Sequence, residues 1–129
     1  MFQKQKPELD GEVKAIEKVV NAYFKSYLNA ESEDLAKVFH PESRLFSVDE
    51  DNLGKTELAD WLENLRVRRT KGDIRTASSL VAGVDISGDA AIAKATLQFP
   101  EFKFVDYLSL LKIRGEWTII NKIYTVVRE

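Results

Sequence analysis

FVDYLSLLKIRGEWTIINKIYTVVRE, residues 104–129, is the stretch on which the fold turns. Branched and aromatic side chains dominate it, and a single glycine, Gly115, interrupts it. The runs on either side are each long enough for a strand that spans a domain. The stretch reads as two long antiparallel strands joined by a tight turn. It also sets an acid, Asp106, and a base, Lys122, among apolar positions, where a charge is costly unless it is paired.

The turn chemistry fixes an expected register. A two-residue turn at Arg114 and Gly115 needs positive φ at both positions, whereas a three-residue loop of Ile113, Arg114 and Gly115 needs it only at the glycine. The second is cheaper, and it pairs Lys112 with Glu116, Leu108 with Ile120, Asp106 with Lys122 and Phe104 with Tyr124. Acid then faces base directly. The opposite face carries Val105, Tyr107, Leu111, Trp117, Ile119 and Ile123. With both faces this apolar, one is expected to line the interior and the other to meet a second copy, giving a homodimer through the sheet face.

Upstream, Leu9, Val13, Ile16, Val20, Tyr23 and Tyr27 recur at three and four, the spacing of one helical face. Residues 1–7, polar and ending in Pro7, read as a loose arm before that helix. Ser32, Glu33 and Asp34 suit the start of a short second helix that runs through Val38, and Pro41 stops it. Arg44 to Val48 reads as a short strand, and Asp49 to Gly54 as an acidic turn region. A third helix is expected from Thr56 to about Leu65, and the basic stretch Arg66 to Lys71 as a solvated loop. Beyond it the chain is nearly all strand, broken at Ser87-Gly88-Asp89 and at Pro100. Helices first and strands after imply one α+β domain over residues 1–129, three helices packed on a strongly curved antiparallel sheet.

A chain of 129 residues is long enough for one core and too short for two. With 19 basic against 21 acidic residues, net charge -2, nothing points to nucleic acid. The absence of cysteine excludes disulfides, thiolate metal sites and thiol catalysis within this chain. No run approaches the roughly 20 apolar residues of a membrane helix, so no membrane contact and a cytoplasmic location are expected. His40, the single histidine, stands where a cation suits the carbonyl end of the second helix. It has no partners at metal-ligand spacing, and Asp49, Glu50 and Asp51 do not follow the calcium-loop pattern; no metal or cofactor is expected.

The element order, the segment DLAKVFHPESRLFSV (residues 34–48) and the ending DYLSLLKIRGEWTIINKIY (residues 106–124) resemble the nuclear transport factor 2-like superfamily, and within it the lumazine-binding branch, over about residues 9–128. The resemblance implies a cone-shaped, cystatin-like α+β barrel. It also implies a choice among ketosteroid isomerases, polyketide cyclases, dehydratases and binding or transport proteins. Laid on the isomerase pattern without gaps, Tyr23 falls where the oxyanion-binding tyrosine stands, and Ser47 where the catalytic base aspartate stands. Asp106 falls near the second, protonated aspartate of those enzymes. A serine hydroxyl without an activator does not abstract a proton from carbon, and a facing Lys122 favours the ionised form of Asp106.

The expected site is therefore that of a small-molecule binding protein with a largely apolar cavity. Tyr23, Tyr27, Phe46, Trp61, Asp106, Ile120, Lys122 and Tyr124 are its candidate lining residues, and its ligand is not identified by the sequence. No catalytic residue is assigned; Asp106 and Tyr23 are the candidates if a reaction is catalysed. Two other readings stay open. One is an isomerase, cyclase or dehydratase using a cavity acid or base, and the other an interaction module whose cavity is filled by side chains. For each aromatic candidate the plain alternative is a core role.

Overall fold

The computed structural model describes residues 2–129, with side chains from residue 9 onward. Three helices, α1 (Phe2–Leu28), α2 (Ser32–Val38) and α3 (Leu58–Thr70), pack on a six-stranded sheet. Its strands are β1 (Phe39–Asp49), β2 (Asn52–Glu57), β3 (Ser78–Ser87), β4 (Ala90–Gln98), β5 (Phe102–Ile113) and β6 (Glu116–Arg128). The α+β class and the cone-type architecture are as expected. Two details differ. The strand order β2-β1-β6-β5-β4-β3 leaves β2 and β3 as free edges, so the sheet is open and not a closed barrel. It is also mixed: β1 runs parallel to β6, and the other neighbours are antiparallel. A parallel neighbour requires a long crossover, which α3 and the β3–β5 meander supply.

The core lies between helices and sheet. Ile16, Val20, Tyr23 and Phe24 of α1 are buried together with Leu97, Leu108, Leu110, Trp117 and Ile119. Ala91, Ala93 and Ala95 occupy three successive inward positions of β4 and are buried. Their short side chains leave room for the aromatic residues of α1 at close-packed density. At the far end Lys112 and the Trp117 indole both donate to Glu12, tying α1 to the hairpin tip.

The helical backbone begins at Phe2 instead of Leu9. Between them the sequence offers good helix formers, and Pro7 removes one donor without forbidding the conformation outright. Residues 2–7 of the expected loose arm are therefore helical, and residue 1 lies outside the described residues. β1 and β2 form a hairpin through Glu50 and Asp51, both at positive φ, so part of the expected acidic turn region is strand. α3 continues through the basic stretch to Thr70, which is therefore no loop. Arg68 explains the extension, since its guanidinium donates to the carbonyls of Tyr27 and Leu28 at the end of α1, groups that a helix end leaves without partners. His40 lies in β1, past the helix it was expected to cap, and its Nδ1 accepts the Glu42 amide.

The closing hairpin corrects the expected register. Arg114 takes φ 52° and Gly115 φ 81°, a two-residue turn that pairs Ile113 with Glu116. Such a turn matches the twist of the strands, which outweighs the strain at Arg114. The register then shifts between Leu110↔Ile119 and Ser109↔Asn121, leaving Ile120 unpaired in a bulge. Beyond it Leu108 opposes Lys122 and Asp106 opposes Tyr124.

Candidate functional site

The bulge decides which side chains meet the helices. In a regular strand alternate residues share a face, so a strand that buries Trp117 and Ile119 would turn Lys122 and Tyr124 to the outer side. The extra residue at Ile120 reverses the phase. Trp117, Ile119 and Lys122 are all buried as a result. Lys122 is the one lysine buried among the described residues.

Three elements converge on it. From α1, the Tyr23 hydroxyl donates to Asp106 Oδ2 at 2.6 Å. From β6, Lys122 Nζ donates to the Tyr23 oxygen at 2.7 Å. The direct Lys122–Asp106 separation is 3.9 Å, an ion pair in which the tyrosine oxygen bridges acid and base. Asp106 Oδ1 is buried with no partner. Around the ammonium stand the rings of Trp61 at 4.6 Å, Tyr124 at 4.7 Å, Tyr23 at 5.1 Å and Tyr27 at 6.0 Å, measured to ring centroids. The rings of Trp61 and Tyr124 at such distances attract a cation and offset part of its lost hydration, whereas Tyr23 meets it through its hydroxyl. Burial pulls the Lys122 ammonium below its ordinary value, and Asp106 pushes it back up. Burial first, then the Asp106 charge, holds the Tyr23 phenol well above its ordinary value.

A cavity of about 180 Å³ opens onto this group. Tyr23, Tyr27, Trp61, Lys122 and Tyr124 line it, with Leu45, Leu97 and Phe104 as apolar wall and Thr56 and Asn64 as further polar groups. Five of the eight residues singled out from the sequence thus share one cavity, and Asp106 lies directly behind two of them. Phe46 and Ile120 do not join. Strand alternation buries Leu45 and sends Phe46 to a groove of about 620 Å³ with Val48, Leu53, Tyr107 and Ile123. Ile120 lies with Ile92, Ser109 and Leu111 along a second shallow concavity. The larger groove is the bigger space, but its lining carries no acid or base apart from tyrosines, so the chemistry lies in the smaller cavity. Ser47 borders that groove and not the Lys122 cavity.

One further part, the support of Tyr27, leaves no local mark in the sequence. Arg75 donates to the Tyr27 hydroxyl at 2.8 Å, and the guanidinium of Arg68 stands 4.9 Å from its ring centroid. Asp73 holds Arg75 through both carboxylate oxygens. The DIR run at residues 73–75 carries these charges, but the reach from Arg75 to Tyr27 joins residues far apart in the chain. Phe39 packs edge-on against Tyr23 and Trp61 and is core. No group of three or more metal-ligating side chains occurs among the described residues.

This architecture is that of a nuclear transport factor 2-like protein. An NTF2-like protein of unknown function from Shewanella baltica is 28% identical and superposes with a TM-score of 0.80, over 92% of this chain and 96% of the other. A second, from Methylobacillus flagellatus, is 26% identical with a TM-score of 0.75, over 90% and 92%. A ketosteroid isomerase-like protein from Erwinia carotovora shares the fold at 12% identity, with a TM-score of 0.73 over 92% and 98%. No curated protein matches the chain. The profile of the family described as "Putative lumazine-binding" matches residues 11–125, and the chain belongs to that family. No described helix is long and apolar enough to cross a membrane.

Proposed function

We propose that the protein binds a compact planar small molecule in the Lys122 cavity, with an acceptor oxygen of the ligand seated on the lysine. The observation that carries this reading is the free capacity of Lys122 Nζ. It spends one donor on Tyr23, it lines the cavity, and aromatic faces flank it on several sides. A volume of about 180 Å³ falls below the roughly 300–1,000 Å³ of drug-sized sites, which favours a ligand of one or two rings. The family description supports a bicyclic ring bearing carbonyl oxygens, lumazine being one. Titrating lumazine and planar amides into the wild type, followed by tryptophan fluorescence and calorimetry, tests the reading. Binding that weakens at least about tenfold in Lys122→Met supports it, because a charge-assisted hydrogen bond is worth roughly 1.5–3 kcal/mol. Equal affinity of wild type and variant would overturn it.

A second reading, an enzyme of isomerase, cyclase or dehydratase type, draws on the continuous Lys122–Tyr23–Asp106 proton path. Ser47 stands outside the cavity and supplies no base there. A turnover screen with planar ketones on wild type and Asp106→Asn separates binder from enzyme. The interaction-module reading requires a filled cavity.

Self-association belongs to the same proposal. Ile92, Tyr107, Leu111 and Ile123 are exposed on the outer face of the sheet, and Tyr107 and Ile123 are directly paired neighbours there. Asp85 and Lys94 place opposite charges on the strands beside them, at registers opposite Ile92 and Tyr107. A two-fold axis through the apolar centre would bring the acid of one copy toward the base of the other, which favours a second copy as the occupant. A cytoplasmic setting is the remaining element, compatible with the cysteine-free sequence and tested by cell fractionation.

A further inference from the structure

We propose that Lys122 captures carbonyl compounds covalently, its amine condensing with a small aryl aldehyde in the cavity to form an imine. The inference rests on the cavity being a ligand site and adds a bond to it. Among the described residues Lys122 is the one buried lysine, it lines the cavity, and its Nζ is hydrogen-bonded to Tyr23, which in turn donates to Asp106. A lysine becomes a nucleophile at neutral pH when desolvation favours the free amine, and burial acts on Lys122 in that direction.

The proton has a place to go. Lys122 Nζ donates to the Tyr23 oxygen while the Tyr23 hydroxyl donates to Asp106 Oδ2, so a shift of two protons along these bonds leaves a neutral amine and a protonated carboxyl without calling on solvent. The Nζ lone pair then forms a bond to the carbonyl carbon, and the carbon–oxygen π pair moves to oxygen. The single proton held on Asp106 returns through Tyr23 and, together with one from the nitrogen, converts that oxygen into water, which leaves. The nitrogen lone pair closes the carbon–nitrogen double bond. Ammonium and aldehyde give a protonated imine and one water; charge and atoms balance, and nothing is oxidised or reduced.

The surroundings suit the product as well as the reactant. A protonated imine is a planar cation, and Trp61 and Tyr124 flank the nitrogen with their rings at 4.6 and 4.7 Å, while Tyr23 meets it through its hydroxyl. Asp106, ionised again at the end of the sequence, stands 3.9 Å away as counter-charge. The aromatic walls accept an aryl ring, and a volume near 180 Å³ excludes long chains.

The test incubates the full chain at neutral pH with pyridine-4-carboxaldehyde and cyanoborohydride, then maps adducts by mass spectrometry. Isonicotinamide, which has the same ring and an unreactive carbonyl, serves as competitor. The expected result is one predominant adduct at Lys122, suppressed by the amide and absent in Lys122→Met. In Tyr23→Phe, with the fold checked by circular dichroism, its formation is expected to slow by roughly 100-fold, the order of acid–base assistance. Reduction of wild-type protein alone reads the site, so the result does not depend on the Met variant folding. Adducts spread over exposed lysines, with Lys122 unmodified while the amide still binds, would overturn covalent capture and leave ligand binding standing. Failure of both aldehyde and amide to enter the cavity would overturn both.

Discussion

Asp106 and Lys122 are diagonal neighbours across the closing hairpin, not direct partners: Asp106 opposes Tyr124, Lys122 opposes Leu108, and the phenol oxygen of Tyr23 fills the gap between them. Three buried groups from two strands and a helix thus act as one unit, so removing any one of them leaves a buried charge or donor uncompensated.

The first prediction follows from that coupling. Asp106→Ala leaves the Lys122 charge buried and uncompensated, with an expected loss on the order of 3 kcal/mol. Adding Lys122→Met to the same chain is expected to recover much of the loss, because the unpaired charge goes with it. Urea unfolding of wild type, both single variants and the double variant measures the coupling. Simple additivity of the two losses would show that the groups do not act together.

Alkaline stability should carry two opposed contributions. The Tyr23 phenol titrates well above 10.0 in the folded chain and near 10.0 when unfolded, so above that pH the folded form holds more protons and stability falls. The Lys122 ammonium titrates below 10.5 in the folded chain. Between its folded value and 10.5 the unfolded form holds more protons, and stability rises with pH through that window. Urea midpoints from about pH 8 to about pH 11 should show Tyr23→Phe reducing the fall and Lys122→Met reducing the rise; part of the fall persists because burial also holds the Tyr27 phenol above its ordinary value. Tyr23 ionisation observed by absorbance in the folded protein near its ordinary value would contradict the first statement.

The hairpin turn holds Arg114 at φ 52°, a conformation that asparagine adopts more readily than arginine. Arg114→Asn should stabilise the protein by roughly 0.5–1 kcal/mol, raising the thermal midpoint. A lowered midpoint would mean that the arginine side chain contributes more than the backbone strain costs.

Ile123→Asp places a charge in the middle of the exposed apolar face, where Ile123 is 52% exposed and Tyr107 is its cross-strand neighbour. Sedimentation at micromolar concentration is expected to show a dimer for wild type and a monomer for the variant, with the monomer's far-ultraviolet spectrum unchanged. A wild-type monomer at that concentration would remove the sheet face as a self-association surface.

Much of the site could be read from the chain because helical spacing and strand alternation report direction. Tyr23 and Tyr27 share a helical face by their separation of four, and Asp106 shares the inner face with Leu108 and Leu110 by alternation. Lys122 faces inward in both registers because two one-residue offsets add to two, one full period of a strand. The turn is one residue shorter than the cheaper loop, and the bulge shifts the pairing by one more in the same direction. Between turn and bulge only the first offset acts, which is why Trp117 and Ile119 are inward and Ile120 outward. No glycine marks that bulge, and a branched apolar residue in it looks like any other strand residue. The Arg68 and Arg75 contacts to Tyr27 were beyond reach for a different reason, since long flexible side chains meet across the fold without imposing a local pattern. Phe46 lies outside the expected cavity because β1 carries large apolar residues on both faces, Leu45 inward and Phe46 outward, so size alone does not reveal direction.

The most direct test is crystallographic soaking with a panel of planar carbonyl fragments, lumazine and isonicotinamide included. The expected result is density in the cavity between Trp61 and Tyr124, with an acceptor oxygen within hydrogen-bonding distance of Lys122 Nζ. Fragments confined to the outer groove at Phe46 and Ile123, with the Lys122 cavity empty across the panel, would contradict it.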